Sequence, residues 1–184
     1  HIPKRLSLSW LNDLASALQH MHEKKVKHKD VKAENILVFD EFRTKLCDFG
    51  LSKLATGAQS SVLAGTLDFM APEVKLGGRS SYASDVFSMG VTFLQIFLRE
   101  SPAGISQATR QVLAELLMDQ VLKKDPSVVR RLGKLIEDCT HEKWHKRPDA
   151  LTAAFLTSLL YEDMGGNLGF ESDPAVVSFL RNEY

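Results

Sequence analysis

Only 2 cysteines occur in 184 residues, and Cys47 and Cys139 stand far apart with neither metal-knuckle nor disulfide-framework spacing. That scarcity points to a reducing compartment. Net charge is lacking as well, since 23 Lys and Arg are offset by 23 Asp and Glu. No bulk field gathers nucleic acid or draws the chain to an acidic membrane, so neither is expected as a partner. A signal-peptide pattern is absent. The longest apolar run, Val86 to Leu98, is interrupted by Ser88, Gly90, Thr92 and Gln95 and falls short of the roughly 20 residues that cross a bilayer. No membrane segment is expected in this chain, which leaves an anchor upstream of His1 open. The length suits one domain with a real core.

Periodicity is present in quantity. Leu11, Leu14, Leu18 and Met21 recur at steps of three and four, which predicts a helix that Ser7 or Ser9 caps. Ile36-Leu37-Val38-Phe39 and Thr44-Lys45-Leu46-Cys47 flank Asp40-Glu41-Phe42-Arg43 and read as a hairpin with a polar turn, bringing Asn35 and Asp48 to its two open ends. Residues 51–70 show little periodicity and read as a loop. Val86-Phe87, Met89, Val91, Phe93-Leu94 and Ile96-Phe97-Leu98 are apolar around the whole circumference, the pattern of a buried central helix. Further helices are predicted at 109–122, 128–140 and 149–161, the second with Leu132, Leu135, Ile136 and Cys139 on one stripe. Gly165-Gly166-Asn167 breaks the pattern, and a short tail helix resumes with Asp173 as its cap and Pro174 in its first turn.

Three polar clusters stand in fixed order along this frame: His28-Lys29-Asp30-Val31-Lys32-Ala33-Glu34-Asn35, Asp48-Phe49-Gly50 and Ala71-Pro72-Glu73. Together they supply a carboxylate, a lysine and two hard oxygen ligands, equipment for handling a phosphoryl group. In order and spacing they resemble the catalytic loop, magnesium aspartate and activation-segment end of the protein kinase catalytic domain, with Lys29 where that family usually has arginine. The resemblance implies an α+β, mainly α-helical fold: a protein-kinase-like large (C-terminal) lobe over residues 1–161, with a short β-hairpin at the catalytic cleft, and a tail over 162–184.

What the resemblance implies for each residue follows the family's chemistry. Asp30 would accept the substrate hydroxyl's proton, Lys32 would reach the transferring phosphate, and Asn35 and Asp48 would hold Mg2+ and, through it, ATP. His28, Lys29, Phe49 and Gly50 would be structural, as would Asp85, which in the family braces the catalytic-loop backbone. Glu73 and Arg147 would form a buried ion pair joining the activation segment to the late helices. Ser60, Ser61 and Thr66 fall in the activation segment. Lys32 resembles the serine/threonine class, and Gly65-Thr66, Cys139 and Arg147-Pro148 are nearest to its tyrosine-kinase-like branch. Protein Ser/Thr hydroxyls would be the substrates and the cytoplasm the location, either of the whole protein or of the cytosolic part of a receptor.

No Gly-rich loop, phosphate-gripping strand lysine or partner glutamate is found ahead of His28, and the chain opens on His1. The expectation is therefore a large lobe whose small lobe is missing here and supplied in cis in the full-length protein, inactive and aggregation-prone by itself. A kinase-like scaffold that binds partners without phosphoryl transfer is the second reading. An unrelated metal hydrolase using His28, Asp30 and Asp48 is the third, and it leaves Ala71-Pro72-Glu73 and Arg147 without a role. Cys139, His141 and His145 lack an evident fourth zinc ligand, and Lys24-Lys25-Val26-Lys27 reads as a solvated turn.

Overall fold

A computed structural model describes residues 4–39, 42–50, 67–98 and 126–163. The expected helix at 109–122, the tail helix, and Ser60, Ser61 and Thr66 lie outside them. The described residues form five α-helices, α1 (Lys4–Glu23), α2 (Pro72–Lys75), α3 (Tyr82–Leu98), α4 (Pro126–Cys139) and α5 (Ala150–Asp163), with a two-stranded sheet, β1 (Ile36–Val38) and β2 (Thr44–Leu46). No described helix is long and apolar enough to cross a membrane.

α1 starts earlier than its stripe suggests. Leu6 and Leu8 are buried along with Leu11, Leu14 and Leu18, so the apolar contact pulls the helix upstream and encloses Ser7 and Ser9, both buried. Neither serine is a cap, because both sit inside the helix. Its C-terminus closes with Lys25 N–H on the His22 carbonyl at 3.0 Å and Val26 N–H on the Met21 carbonyl at 2.9 Å, a Schellman arrangement that holds Lys25 at φ +61°. The basic turn is only partly solvated: Lys27 Nζ donates to the Ser80 carbonyl at 3.0 Å and lies 6.0 Å from the Tyr82 ring centroid.

The main core joins α1, α3, α4 and α5 around Leu11, Leu18, Met89, Phe93, Leu132 and Ile136. Ala150, Ala153 and Ala154 are buried on α5; their small side chains let its backbone approach α1, where Thr157 Oγ1 donates to Asn12 Oδ1 at 3.1 Å. The α4 stripe Leu132, Leu135, Ile136 and Cys139 is wholly inside. α3 is enclosed from Val86 to Leu94 except at the partly buried Ser88, as a helix apolar on nearly all sides requires. A smaller cluster of Phe69, Ala71, Phe87 and Val91 seats the segment leading into α2 upon α3.

Gly90 is the point where α3 meets the end of α4. A Cβ there would lie 2.8 Å from Thr140 Cγ2 and 3.0 Å from Cys139 Cβ, and Thr140 is pinned by its hydroxyl on the Ile136 carbonyl at 2.8 Å. Overpacking of this kind costs about 1–3 kcal/mol, against about 1 kcal/mol of helix propensity gained from alanine. Gly90→Ala is expected to destabilise by about 1 kcal/mol net, read as a lower urea midpoint with an unchanged slope.

The hairpin is antiparallel, with Ile36 opposite Leu46, Leu37 opposite Lys45 and Val38 opposite Thr44. α1 holds it through Asp13, whose carboxylate accepts Arg43 Nη2 at 2.8 Å and the Thr44 N–H at 2.9 Å, and through Trp10 Nε1 on the Phe42 carbonyl at 2.8 Å. This tether fixes where the open end of the hairpin faces.

Candidate active site

The loop from His28 to Asn35 has no regular structure to satisfy its first N–H groups, and α3 supplies the acceptor. Asp85, buried in the first turn of α3, takes the His28 N–H at 2.9 Å on Oδ2 and the Lys29 N–H at 2.8 Å on Oδ1. The two bonds hold Lys29 at φ +72°, a left-handed conformation that a lysine adopts at a cost. Two helical turns further on, Thr92 Oγ1 donates to the Val31 carbonyl at 3.3 Å. One face of α3 therefore anchors the loop at both ends of the Asp30 turn.

His28 is fully buried. The Asp30 N–H lies on its Nδ1 at 3.3 Å and its Nε2 faces the Cys47 carbonyl at 3.0 Å. An acceptor at Nδ1 and a carbonyl opposite Nε2 select the neutral tautomer protonated at Nε2. The ring ties the loop to β2, and the Phe49 ring packs against it at 5.4 Å between centroids.

At Asp30 the two carboxylate oxygens have different surroundings. Oδ2 meets Lys32 Nζ at 2.7 Å and accepts Asn35 Nδ2 at 3.0 Å. Oδ1 is buried with no hydrogen-bond partner among the described residues. Leaving a carboxylate oxygen unsatisfied is costly, so the arrangement is expected where a further hydroxyl or N–H arrives.

Asn35 closes the loop in a 3₁₀ turn and starts the hairpin. Its amide nitrogen donates to the Asp30 carbonyl at 2.8 Å, and its own carbonyl accepts the Cys47 N–H at 2.8 Å. The ladder thereby extends one pair past Ile36 and Leu46, and Asp48 is the next residue along, at φ +63°. Its Oδ1 accepts the Gly50 N–H at 3.1 Å, while the residue as a whole is exposed. A side chain at Gly50 would press on that oxygen, since a Cβ would lie 3.0 Å from it. Asn35 brings an amide oxygen and Asp48 a carboxylate to one end of the hairpin, a donor set suited to a hard divalent cation.

Away from the loop, Arg147 Nη1 and Nη2 grip the two Glu73 oxygens at 2.8 Å each. The remaining donors serve the carbonyls of His141 (2.7 Å), Ala83 (3.0 Å) and Glu142 (3.1 Å), and the guanidinium lies 4.8 Å from the Phe87 ring centroid. All N–H donors of the guanidinium are engaged. Burial raises the Glu73 pKa, but the hydrogen bonds and charge of Arg147 outweigh it and hold the carboxyl below its ordinary 4.5. The pair's contribution is therefore present above pH 4.5 and fades as pH falls through the lowered value. Thermal melts from pH 6 to pH 3 should show the parent's advantage over Glu73→Gln shrinking only below about pH 4.5. Cys139 is fully enclosed, and burial pushes its thiol up to about 12.

Two contributors escaped the sequence reading. His22, in the last turn of α1, places Nε2 3.1 Å from Asp85 Oδ2, adding a third contact to the carboxylate that anchors the loop. Only its position six residues before the loop hinted at this. Asp13 gave no signal, because its partners Arg43 and Thr44 are some thirty residues away along the chain.

Comparison with known proteins bears directly on this geometry. A family model described as the protein kinase domain matches residues 1–156. The serine/threonine-protein kinase CTR1 of Arabidopsis thaliana is 33% identical over 156 residues, 82% of this chain and 19% of that protein. The mitogen-activated protein kinase kinase kinase dlk-1 of Caenorhabditis briggsae is 32% identical over 152 residues, 80% of this chain and 17% of its own length. The MAP kinase kinase MKK1/SSP32 of Saccharomyces cerevisiae is 38% identical over 119 residues, 62% of this chain and 23% of that protein. The chain thus spans about a fifth of the length of these curated relatives. With a match running from the first residue through the first half of α5, over a loop and hairpin that gather Asp30, Lys32, Asn35 and Asp48, the chain belongs to the protein kinase domain family.

Proposed function

We propose that this chain is the large lobe of a serine/threonine protein kinase that transfers the γ-phosphate of ATP to protein Ser/Thr hydroxyls, with the small lobe contributed in cis by the rest of the protein. The observation that carries the reading is Asp30: one oxygen is held by Lys32 and Asn35, and the other is buried with no partner among the described residues.

In this reading Asp30 Oδ1 receives the hydrogen bond of the incoming substrate hydroxyl and then its proton. Asn35 Nδ2 keeps the carboxylate from rotating, since it bonds both the Asp30 carbonyl and Oδ2. Lys32, 2.7 Å from Oδ2, brings a positive charge to the side of Asp30 where phosphate charge develops. Asn35 and Asp48 would hold Mg2+ through their oxygens. When bound, Mg2+ and ATP supply the transferable phosphoryl group and neutralise its oxygens. Orientation of the hydroxyl supplies much of the rate in such a site, so the Asp85 and Thr92 bonds that fix the loop bear on activity without touching substrate.

The test uses the full-length protein. Asp48→Ala should lose Mg2+-dependent ATP binding in calorimetry together with transfer to a Ser/Thr peptide, while its melting temperature stays near the parent's. Unchanged nucleotide binding would reject the assignment of Asp48. Tight ATP binding without any peptide phosphorylation by the parent would favour the scaffold reading instead.

A further inference from the structure

At three places on the surface an exposed cation is answered within the chain: Arg43 meets Asp13, Arg131 meets Asp163 and Lys134 meets Asp138, each within 2.8 Å. Around the first turn of α3 the pattern changes. Lys24, Lys25, Arg79, Lys143 and Lys146 are all exposed, and no ion pair engages any of them among the described residues. Three segments meet there. Lys27 Nζ donates to the Ser80 carbonyl and lies beside the Tyr82 ring, which stands 4.7 Å from the His22 ring, so the turn after α1 rests on the entry to α3. Arg147 joins residues 141–146 to the same place through the His141, Glu142 and Ala83 carbonyls.

Carboxylates in these segments are fewer, and two of the three are engaged: Glu23 accepts Gln19 Nε2 at 2.9 Å, and Asp149 caps α5 by accepting the Thr152 N–H at 2.8 Å. In a chain of zero net charge this face therefore carries a local excess of positive charge. Apolar area stands among the cations. Trp144 is 56% exposed between Lys143 and Lys146, and Val26 and Tyr82 are exposed beside Lys25 and Lys27. Tryptophan is a residue type in which binding energy concentrates.

We infer that this face docks an acidic segment of a partner protein, whose carboxylates meet Lys24, Lys25, Arg79, Lys143 and Lys146 while one of its apolar side chains rests on Trp144. Glu23, Glu142 and Asp149 stand among the cations and favour a peptide over a bilayer or a nucleic acid. A short chain can set its charges between those carboxylates, whereas a continuous polyanion meets their repulsion. The inference does not depend on phosphoryl transfer, so it stands or falls separately from the kinase reading.

Fluorescence anisotropy of the full-length protein with a labelled peptide, Glu-Asp-Glu-Phe-Asp-Glu-Asp, tests it. Binding should weaken at least about tenfold as salt rises from about 0.05 M to about 0.5 M, because screening shortens the reach of the charges. Trp144→Ala should weaken it about tenfold, and Lys24→Glu/Lys25→Glu and Lys143→Glu/Lys146→Glu each by a comparable factor. These positions are exposed, so the variants should melt as the parent does, which separates lost binding from a lost fold. Arg130→Glu, an exposed cation in the first half of α4, should bind as the parent does. A parent without salt-dependent peptide binding overturns the inference, and so does a Trp144→Ala or lysine variant with the parent's affinity. Phosphatidylserine vesicles in a sedimentation assay and a DNA duplex in a gel shift complete the test. Tighter retention by either than by the peptide overturns the inference and makes a bilayer or a nucleic acid the occupant.

Discussion

Arg147→Ala is expected to lower the unfolding free energy by about 3–5 kcal/mol, the cost of breaking a buried pair by deleting one partner. The Arg147 side chain is fully enclosed, and Glu73 is about a quarter exposed. Removal strands not only the Glu73 carboxylate but also the His141, Ala83 and Glu142 carbonyls that the guanidinium serves. Arg147→Lys should recover little, because one ammonium cannot span a fork and three carbonyls. Exchanging the charges as Glu73→Arg/Arg147→Glu should also fail, since a carboxylate at 147 would face those same carbonyl oxygens. Chemical denaturation measures all three variants. An Arg147→Ala protein with the parent's midpoint would show that the network contributes nothing to stability.

Asp30→Ala in the full-length protein should cut peptide phosphorylation by about 10²–10⁴, the usual contribution of a positioned general base, with ATP affinity largely retained. The substitution removes the buried Oδ1 that would receive the substrate hydroxyl and releases Lys32 and Asn35 from Oδ2. Loss in kcat with little change in the KM for ATP separates this role from nucleotide binding. Steady-state kinetics at saturating Mg2+-ATP decides it, and a variant within a factor of two or so of the parent would remove Asp30 from the mechanism.

Helix-period stripes were readable because they are local. The stripe in α4 and the all-round apolar α3 need only the identity of neighbours three and four residues away. The hairpin was readable for the same reason, its polar turn separating two short apolar runs. Helix ends were read less well. The start of α1 was moved upstream by burial of Leu6 and Leu8, and α5 continues to Asp163, where Arg131 from α4 meets the Asp163 carboxylate at 2.7 Å. Both extensions depend on partners from other elements, which no local window contains.

The sequence by itself determined the order of the polar clusters, the helical stripes and the adjacency of Asn35 and Asp48 at the hairpin ends, because each rests on short-range spacing. Beyond the bracing role that the resemblance implied for Asp85, tertiary structure decided how the loop is held. Asp85 meets the His28 and Lys29 N–H groups from 57 and 56 residues away, Thr92 meets Val31 from 61, and His22 meets Asp85 across 63. It also decided that Asp30 keeps one buried oxygen without a partner among the described residues while Lys32 and Asn35 hold the other. Hydrogen bonds act over about 3 Å whatever the separation along the chain, so only the packing of α3 beneath the loop could choose those partners.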